Sequence, residues 1–175
     1  VQGLTDVYRK FRFPFESEEA KKLNKLIFET IYYASLSESV ELAKKEGAYE
    51  TFKGSPFSEG KPQWALWGLT QNDLSIDWSS LITDMQQYGV RNSLLTALMP
   101  TATTSQIMNN TEACECVTSN FYVRQTLAGE YTIINEQLVR DLMARGLWTQ
   151  EIYEEIIYNN GSVQDVNEIP TDLKE

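Results

Sequence analysis

The chain has no histidine at all. Metal sites built on imidazole and Ser-His or Cys-His catalysis are therefore excluded within it. Cysteine is nearly absent too. Cys114 and Cys116 are the only two, with one residue between them. That is too few for a disulfide scaffold, and the spacing is not one that zinc ligands use, so no metal site is expected. Long apolar runs and a secretory leader are also missing from the sequence. No membrane span is predicted, and together with the scarcity of cysteine this points to the cytoplasm. Positive charge is in short supply, with 15 Lys and Arg against 25 Asp and Glu and a net charge of −10. A nucleic-acid partner is excluded on that ground, because such proteins gain affinity by neutralising phosphates with basic side chains. A small phosphorylated ligand is not excluded, since backbone N–H groups can bind an anion inside an acidic protein.

What is present is ordinary globular material: 42% hydrophobic, 11% aromatic and 23% charged residues in a chain of 175. With no repeat, linker or low-complexity tract, residues 1–175 are expected to form one domain. Apolar residues at helical spacing predict a long helix from about Ser17 to Glu46, with Glu18 and Glu19 in its first turn, Lys44 and Lys45 in its last, and Gly47 as the stop. Residues 48–76 carry turn formers and predict an irregular connection pinned by Trp64 and Trp67. A second helix is expected over Trp78–Tyr88, with Asp77 as its N-cap. Arg91–Leu98 is read as a buried strand, and a short helical turn follows at Ile107 and Met108. Phe121–Leu127 and Glu130–Ile134 read as two strands joined by a turn at Ala128-Gly129. Helices close the chain over Glu136–Arg145 and Gln150–Tyr158, N-capped by Asn135 and Thr149. Helices outnumber strands and interleave with them. The class is α/β.

Chemistry concentrates at Pro100–Ser105. A predicted strand ends, a proline halts it, and four hydroxyl residues fall within five positions (Thr101, Thr103, Thr104, Ser105) before a helix begins. A helix start leaves N–H groups without partners and carries partial positive charge. Small residues let an anion approach that backbone, and each hydroxyl adds a donor. Charge-assisted hydrogen bonds contribute about 1.5–3 kcal/mol each. Three or four would hold a micromolar diphosphate, which needs roughly 8 kcal/mol. The same residues could instead form an N-cap box, with the threonines bonding to their own helix.

Several strings resemble one family. Val1-Gln2-Gly3-Leu4-Thr5-Asp6 is similar to a barrel strand of the large subunit of class I ribonucleoside-diphosphate reductases, in its eukaryotic and viral form. Phe13-Pro14-Phe15-Glu16-Ser17 and Asn24 through Tyr33 resemble the helix that follows it, and Tyr49-Glu50-Thr51 with Gly54-Ser55-Pro56 the next loop. Tyr88 through Leu95 and Met99-Pro100-Thr101-Ala102-Thr103-Thr104 resemble the strand and loop that bind the substrate's phosphates. Asp141-Leu142, Arg145-Gly146-Leu147-Trp148 and Asn160-Gly161-Ser162 to Ile169-Pro170 carry the likeness to the end of the chain.

This resemblance implies a helix-rich piece of a ten-stranded α/β barrel. In such a barrel a thiyl radical on a central finger loop removes the ribose 3′ hydrogen, and a cysteine pair supplies electrons for reduction to the deoxyribonucleoside diphosphate. It also implies partners: a ribonucleoside diphosphate substrate, the rest of the large subunit as a homodimer, and a small subunit that generates the radical at its own metal site. Thioredoxin- or glutaredoxin-type reductants would serve the full enzyme. No cofactor is expected in this chain. Pro100, Thr101, Ala102, Thr103 and Thr104 match the substrate diphosphate-binding loop. No other catalytic position matches, since the effector region and finger loop would precede Val1 and the C-terminal cysteine pair would follow Glu175. The chain alone is expected to be inactive. Two alternatives stand beside this reading: a stand-alone phosphate- or nucleotide-binding module without catalysis, and one piece of a split subunit. Cys114 and Cys116 flank Glu115 where the family reads Ile-Glu-Pro, so they are expected to be incidental thiols. Tyr32-Tyr33 is expected to pack, and Glu151, Glu154 and Glu155 to face solvent.

Overall fold

The computed structural model describes residues 1–174, and Thr126 by its backbone alone. The chain divides into two compact units, residues 16–98 and residues 1–15 with 99–175.

In the first of these, helix α2 (Glu18–Glu46) is set by local chemistry at both ends. The Ser17 hydroxyl accepts from the Ala20 N–H at 3.1 Å, and Gly47 leaves the helix at φ 85°. Its inner stripe, Leu36, Val40 and Ala43, is buried. Packed with that stripe are Leu81 and Met85 of α4 (Ser79–Tyr88), together with Trp64, Trp78 and Val90. Trp78 has no exposed surface, and the rings of Tyr32 and Tyr33 stand 5.6 and 5.0 Å from it. The tyrosine pair is thus packing material, as expected. Fully burying one such apolar side chain stabilises by about 1.5–3 kcal/mol, so this cluster is what holds the unit.

The connection over residues 48–76 includes the short helix α3 (Gln63–Leu66) and two 3₁₀ turns. Only one of its tryptophans pins it. Trp64 is buried, whereas Trp67 is 71% exposed. The reason is phase: Trp64 lies on the inner side of a single helical turn, and three residues on, the turn has ended.

The other unit begins with α1 (Leu4–Phe11), whose first three residues fall where the likeness of Val1–Asp6 to a barrel strand predicts extended chain. Gly3 turns the backbone at φ 76°, and Leu4 and Tyr8, one helical turn apart, bury together. An i, i+4 apolar pair is a helical signal, but eight residues make a weak one. Helix α5 (Thr104–Met108) is a little over one turn. Strands β1 (Phe121–Thr126) and β2 (Gly129–Ile134) pair antiparallel, with Phe121 opposite Ile134 and Thr126 opposite Gly129. The turn is Leu127-Ala128, one residue earlier than predicted. Helices α6 (Glu136–Ala144) and α7 (Gln150–Tyr158) start where Asn135 and Thr149 accept from the Leu138 and Ile152 N–H groups. Leu142, Ile156, Val166 and Ile169 form the centre of this core, under a Phe121–Trp148–Tyr153 ring cluster.

The strand expected at Arg91–Leu98 does not form. The Arg91 and Asn92 N–H groups bond back to Ser39, and beyond them the segment carries no regular structure. Leu94 is 89% exposed and Leu98 58%. A strand exists only by pairing, and among the described residues none lies alongside to complete a ladder. Apolar β-type sequence is therefore left extended and open.

Candidate functional site

The five predicted site residues form one continuous turn ahead of α5. Thr101 sits in the left-handed region at φ 54°, which a β-branched residue adopts only when its surroundings impose it. Two bonds do so. The Thr101 carbonyl accepts from the Ser105 N–H at 2.9 Å, and its hydroxyl oxygen accepts from the Ala113 N–H at 2.8 Å. Ser105, with no exposed surface, anchors the turn from below: its carbonyl accepts from the Asn110 N–H at 3.0 Å. Pro100, Ala102, Thr103 and Thr104 are exposed above it.

The amides are the informative part. Among the described residues, the N–H groups of Ala102, Thr103 and Thr104 have no acceptor. Thr103 occupies the N-cap position of α5, yet its side chain makes no capping bond. At the starts of α2, α6 and α7, by contrast, Ser17, Asn135 and Thr149 cap with their side chains. The N-cap-box alternative thus fails on geometry. Nor are the three threonines equivalent. Thr103 keeps a free hydroxyl, Thr101 uses its oxygen on Ala113, and Thr104 donates to the Gln2 Oε1 at 2.8 Å. No acidic residue occurs from Met99 to Met108, so nothing in the local sequence opposes an anion.

Gln2 and the turn at Ala113 were missed by sequence reasoning. Gln2 lies 102 positions from Thr104, and no local pattern links them. The turn carried a faint signal, in that Asn109 and Ala113 both take positive φ. Asparagine tolerates that region, but alanine gives no hint of it.

A cleft of about 690 Å³ in the same unit is a separate feature, lined by Tyr8, Arg9, Arg12, Asp141, Arg145 and Asp172 among others, and by none of Pro100–Thr104. Its charges are largely matched. Arg12 forks onto Asp141 at 2.9 and 2.8 Å, and Arg145 onto Asp172. The Arg12 hydrogen bond holds the Asp141 carboxyl below the usual carboxylate range. Cys116 also lines this cleft. Both it and Cys114 are free thiols, Cys116 exposed and Cys114 half-buried. Among the described residues no cluster of three or more metal-ligating side chains occurs, and no helix is long and apolar enough to cross a membrane.

Comparison with known proteins places the chain in a class. The family description "Ribonucleotide reductase, barrel domain" matches residues 1–175. The chain belongs to the ribonucleotide reductase barrel-domain family. It is 50% identical to a ribonucleoside-diphosphate reductase large subunit of Caenorhabditis elegans and 52% to one of Danio rerio, over its full length and 22% of theirs. A mimivirus large subunit is 49% identical, over 99% of this chain and 20% of that one. Among solved structures, the Actinobacillus ureae class Id ribonucleotide reductase alpha subunit matches 99% of this chain and 25% of its own length, with 27% identity and a TM-score of 0.66. The chain thus spans about a fifth of the relatives it matches. Its helix-rich form with one small sheet is that of a part of the α/β barrel.

Proposed function

We propose that this chain is the part of a ribonucleoside-diphosphate reductase large subunit that grips the substrate's diphosphate, through Pro100, Thr101, Ala102, Thr103 and Thr104. The observation that carries the reading is the row of acceptor-free N–H groups at Ala102, Thr103 and Thr104. Buried or not, an amide seeks an acceptor, and three successive acceptor-free amides among exposed residues are suited to an anion. Pro100 ends the preceding segment without adding a donor of its own, and Ala102 is small enough for a phosphate oxygen to reach the backbone. Thr101 supplies the left-handed bend at the start of this turn. The role of these residues is to bind and orient. Hydrogen abstraction and reduction, which the family resemblance implies for the whole subunit, would fall to residues outside this chain, as would the contacts with a small subunit and its metal.

The test is titration of the full large subunit with ADP. Replacing Thr103 and Thr104 together by Val should weaken binding at least tenfold, about 1.4 kcal/mol, because two hydroxyls are lost and the amides are crowded by methyl groups. Unchanged affinity would remove the loop from the substrate site and favour a binding module of another kind.

A further inference from the structure

The Thr104 hydroxyl cannot donate to a phosphate as it stands. Its single hydroxyl proton is directed to the Gln2 Oε1 at 2.8 Å, with a longer approach of 3.5 Å to the Thr101 carbonyl. An incoming phosphate oxygen would therefore meet the lone pairs of the Thr104 oxygen, and acceptor facing acceptor repels. Gln2 holds the means of reversal. Its Nε2 has no partner among the described residues. The carboxamide's two ends are nearly the same size, and rotation about its last torsion is soft and roughly two-fold. Turned over, the Nε2–H donates to the Thr104 oxygen, and the Thr104 proton is released toward the anion. One hydrogen bond is exchanged for another, so the turn itself costs little.

We infer that Gln2 is a positioning residue for the phosphate loop, whose carboxamide turns over on anion entry and converts Thr104 from a spent donor into a donor to the diphosphate. The backbone beside Gln2 is fixed while the side chain turns. The Gly3 N–H donates to the Thr111 carbonyl at 2.9 Å, and the Thr111 N–H donates to Asp6 Oδ2 at 2.6 Å. The chain next to Gln2 is thus tied down by bonds that do not involve Thr104. The inference rests on the loop reading above, and it explains why an amide stands there: a carboxylate could only accept, an ammonium could only donate, and a carboxamide does both.

The experiment is a double-mutant cycle in the full large subunit, with ADP and adenosine as the two probes, adenosine being read by competition. Gln2→Leu should weaken ADP about fivefold by removing the group that orients Thr104. Gln2→Glu should weaken it about thirtyfold, because a carboxylate keeps the Thr104 proton and adds a negative charge beside the phosphate. Adenosine affinity should not change in either variant. In the Thr104→Val background, Gln2→Leu should cost nothing further, the sign that both act through one hydroxyl. Fully additive losses, or an equal loss for adenosine, would overturn the inference and show Gln2 merely stiffening the loop. Should Thr103→Val weaken ADP while both Gln2 variants bind normally, the loop would stand and the Gln2 role would fall. Should Thr103→Val and Thr104→Val both be neutral, the loop reading itself would fall.

Discussion

Two irregular segments of this molecule treat their backbone donors differently. In residues 70–78, six of the nine N–H groups have an acceptor among the described residues, and for four of them it is a side chain. Glu29, only 7% exposed, accepts from the Ser75 N–H (2.9 Å), the Ile76 N–H (2.8 Å) and the Trp78 indole N–H (3.3 Å). Asp73 accepts from the Thr70 N–H and hydroxyl, the Gln71 side chain accepts from the Trp78 N–H, and Asp77 accepts from the Ser79 N–H. At residues 100–105 no carboxylate comes near in sequence, and among the described residues the four N–H groups from Thr101 to Thr104 have no acceptor. The lesson is that a loop's purpose shows in where its N–H groups go. Acidic side chains take up N–H groups in one loop, and in the other, where none is near in sequence, the amides lack such acceptors, as the proposed role requires.

The sharpest way to break this contrast is to open the closed loop. Glu29→Ala leaves two amides and an indole N–H without an acceptor beside the Trp78 core, and about 3 kcal/mol of stability should be lost. Denaturant unfolding of the full subunit checks it, and a variant as stable as the parent would deny Glu29 its structural part. The reverse exchange closes the open loop. Thr103→Asp places a permanent acceptor at the uncapped start of α5, so ADP affinity should fall about a hundredfold, about 2.7 kcal/mol. The melting temperature should hold or rise, because Asp is a favoured N-cap. ADP binding at the parental level would mean that the amides serve no anion.

Acid sharpens the comparison further. Burial pushes the Glu29 carboxyl up, but the Ser75, Ile76 and Trp78 hydrogen bonds outweigh it, and the group is held below the ordinary glutamate value. The unfolded chain then binds the proton more readily than the folded one. The stability this carboxylate contributes is present above the unfolded value, about pH 4.3, and is lost as pH falls through the lower folded one. Thermal melts between neutral pH and about pH 3 should show that loss, and Glu29→Gln should show less of it. The smallest effect expected is from Thr101→Ala. It removes the acceptor for the Ala113 N–H and should cost about 1 kcal/mol of stability, while ADP binding weakens as the bend relaxes. Intact binding would show that the bend does not depend on that bond.

Much of this was legible in the residues themselves. Ser17, Asn135 and Thr149 announce three helices because a side-chain acceptor at the N-cap satisfies a donor two or three positions on, and Gly47 ends α2 for an equally local reason. The candidate loop Pro100–Thr104 is proposed from hydroxyl density before a helix start, and the family likeness comes from strings of matching residues. What failed had a non-local cause. Arg91–Leu98 has a strand's composition, but pairing is a property of two segments. Val1–Asp6 was matched to a strand, and from Leu4 a short amphipathic helix won once Leu4 and Tyr8 had a core to enter.

Sequence by itself determined the family, the long helices with their caps, and the position of the candidate loop, because each depends on residues within a few places of one another. Tertiary structure alone decided which donors remained free. Whether the Thr104 proton goes to a phosphate or to Gln2, and whether Thr101 bends to meet Ala113, depends on partners 102 and 12 residues away, and distance in the chain carries no record of proximity in space.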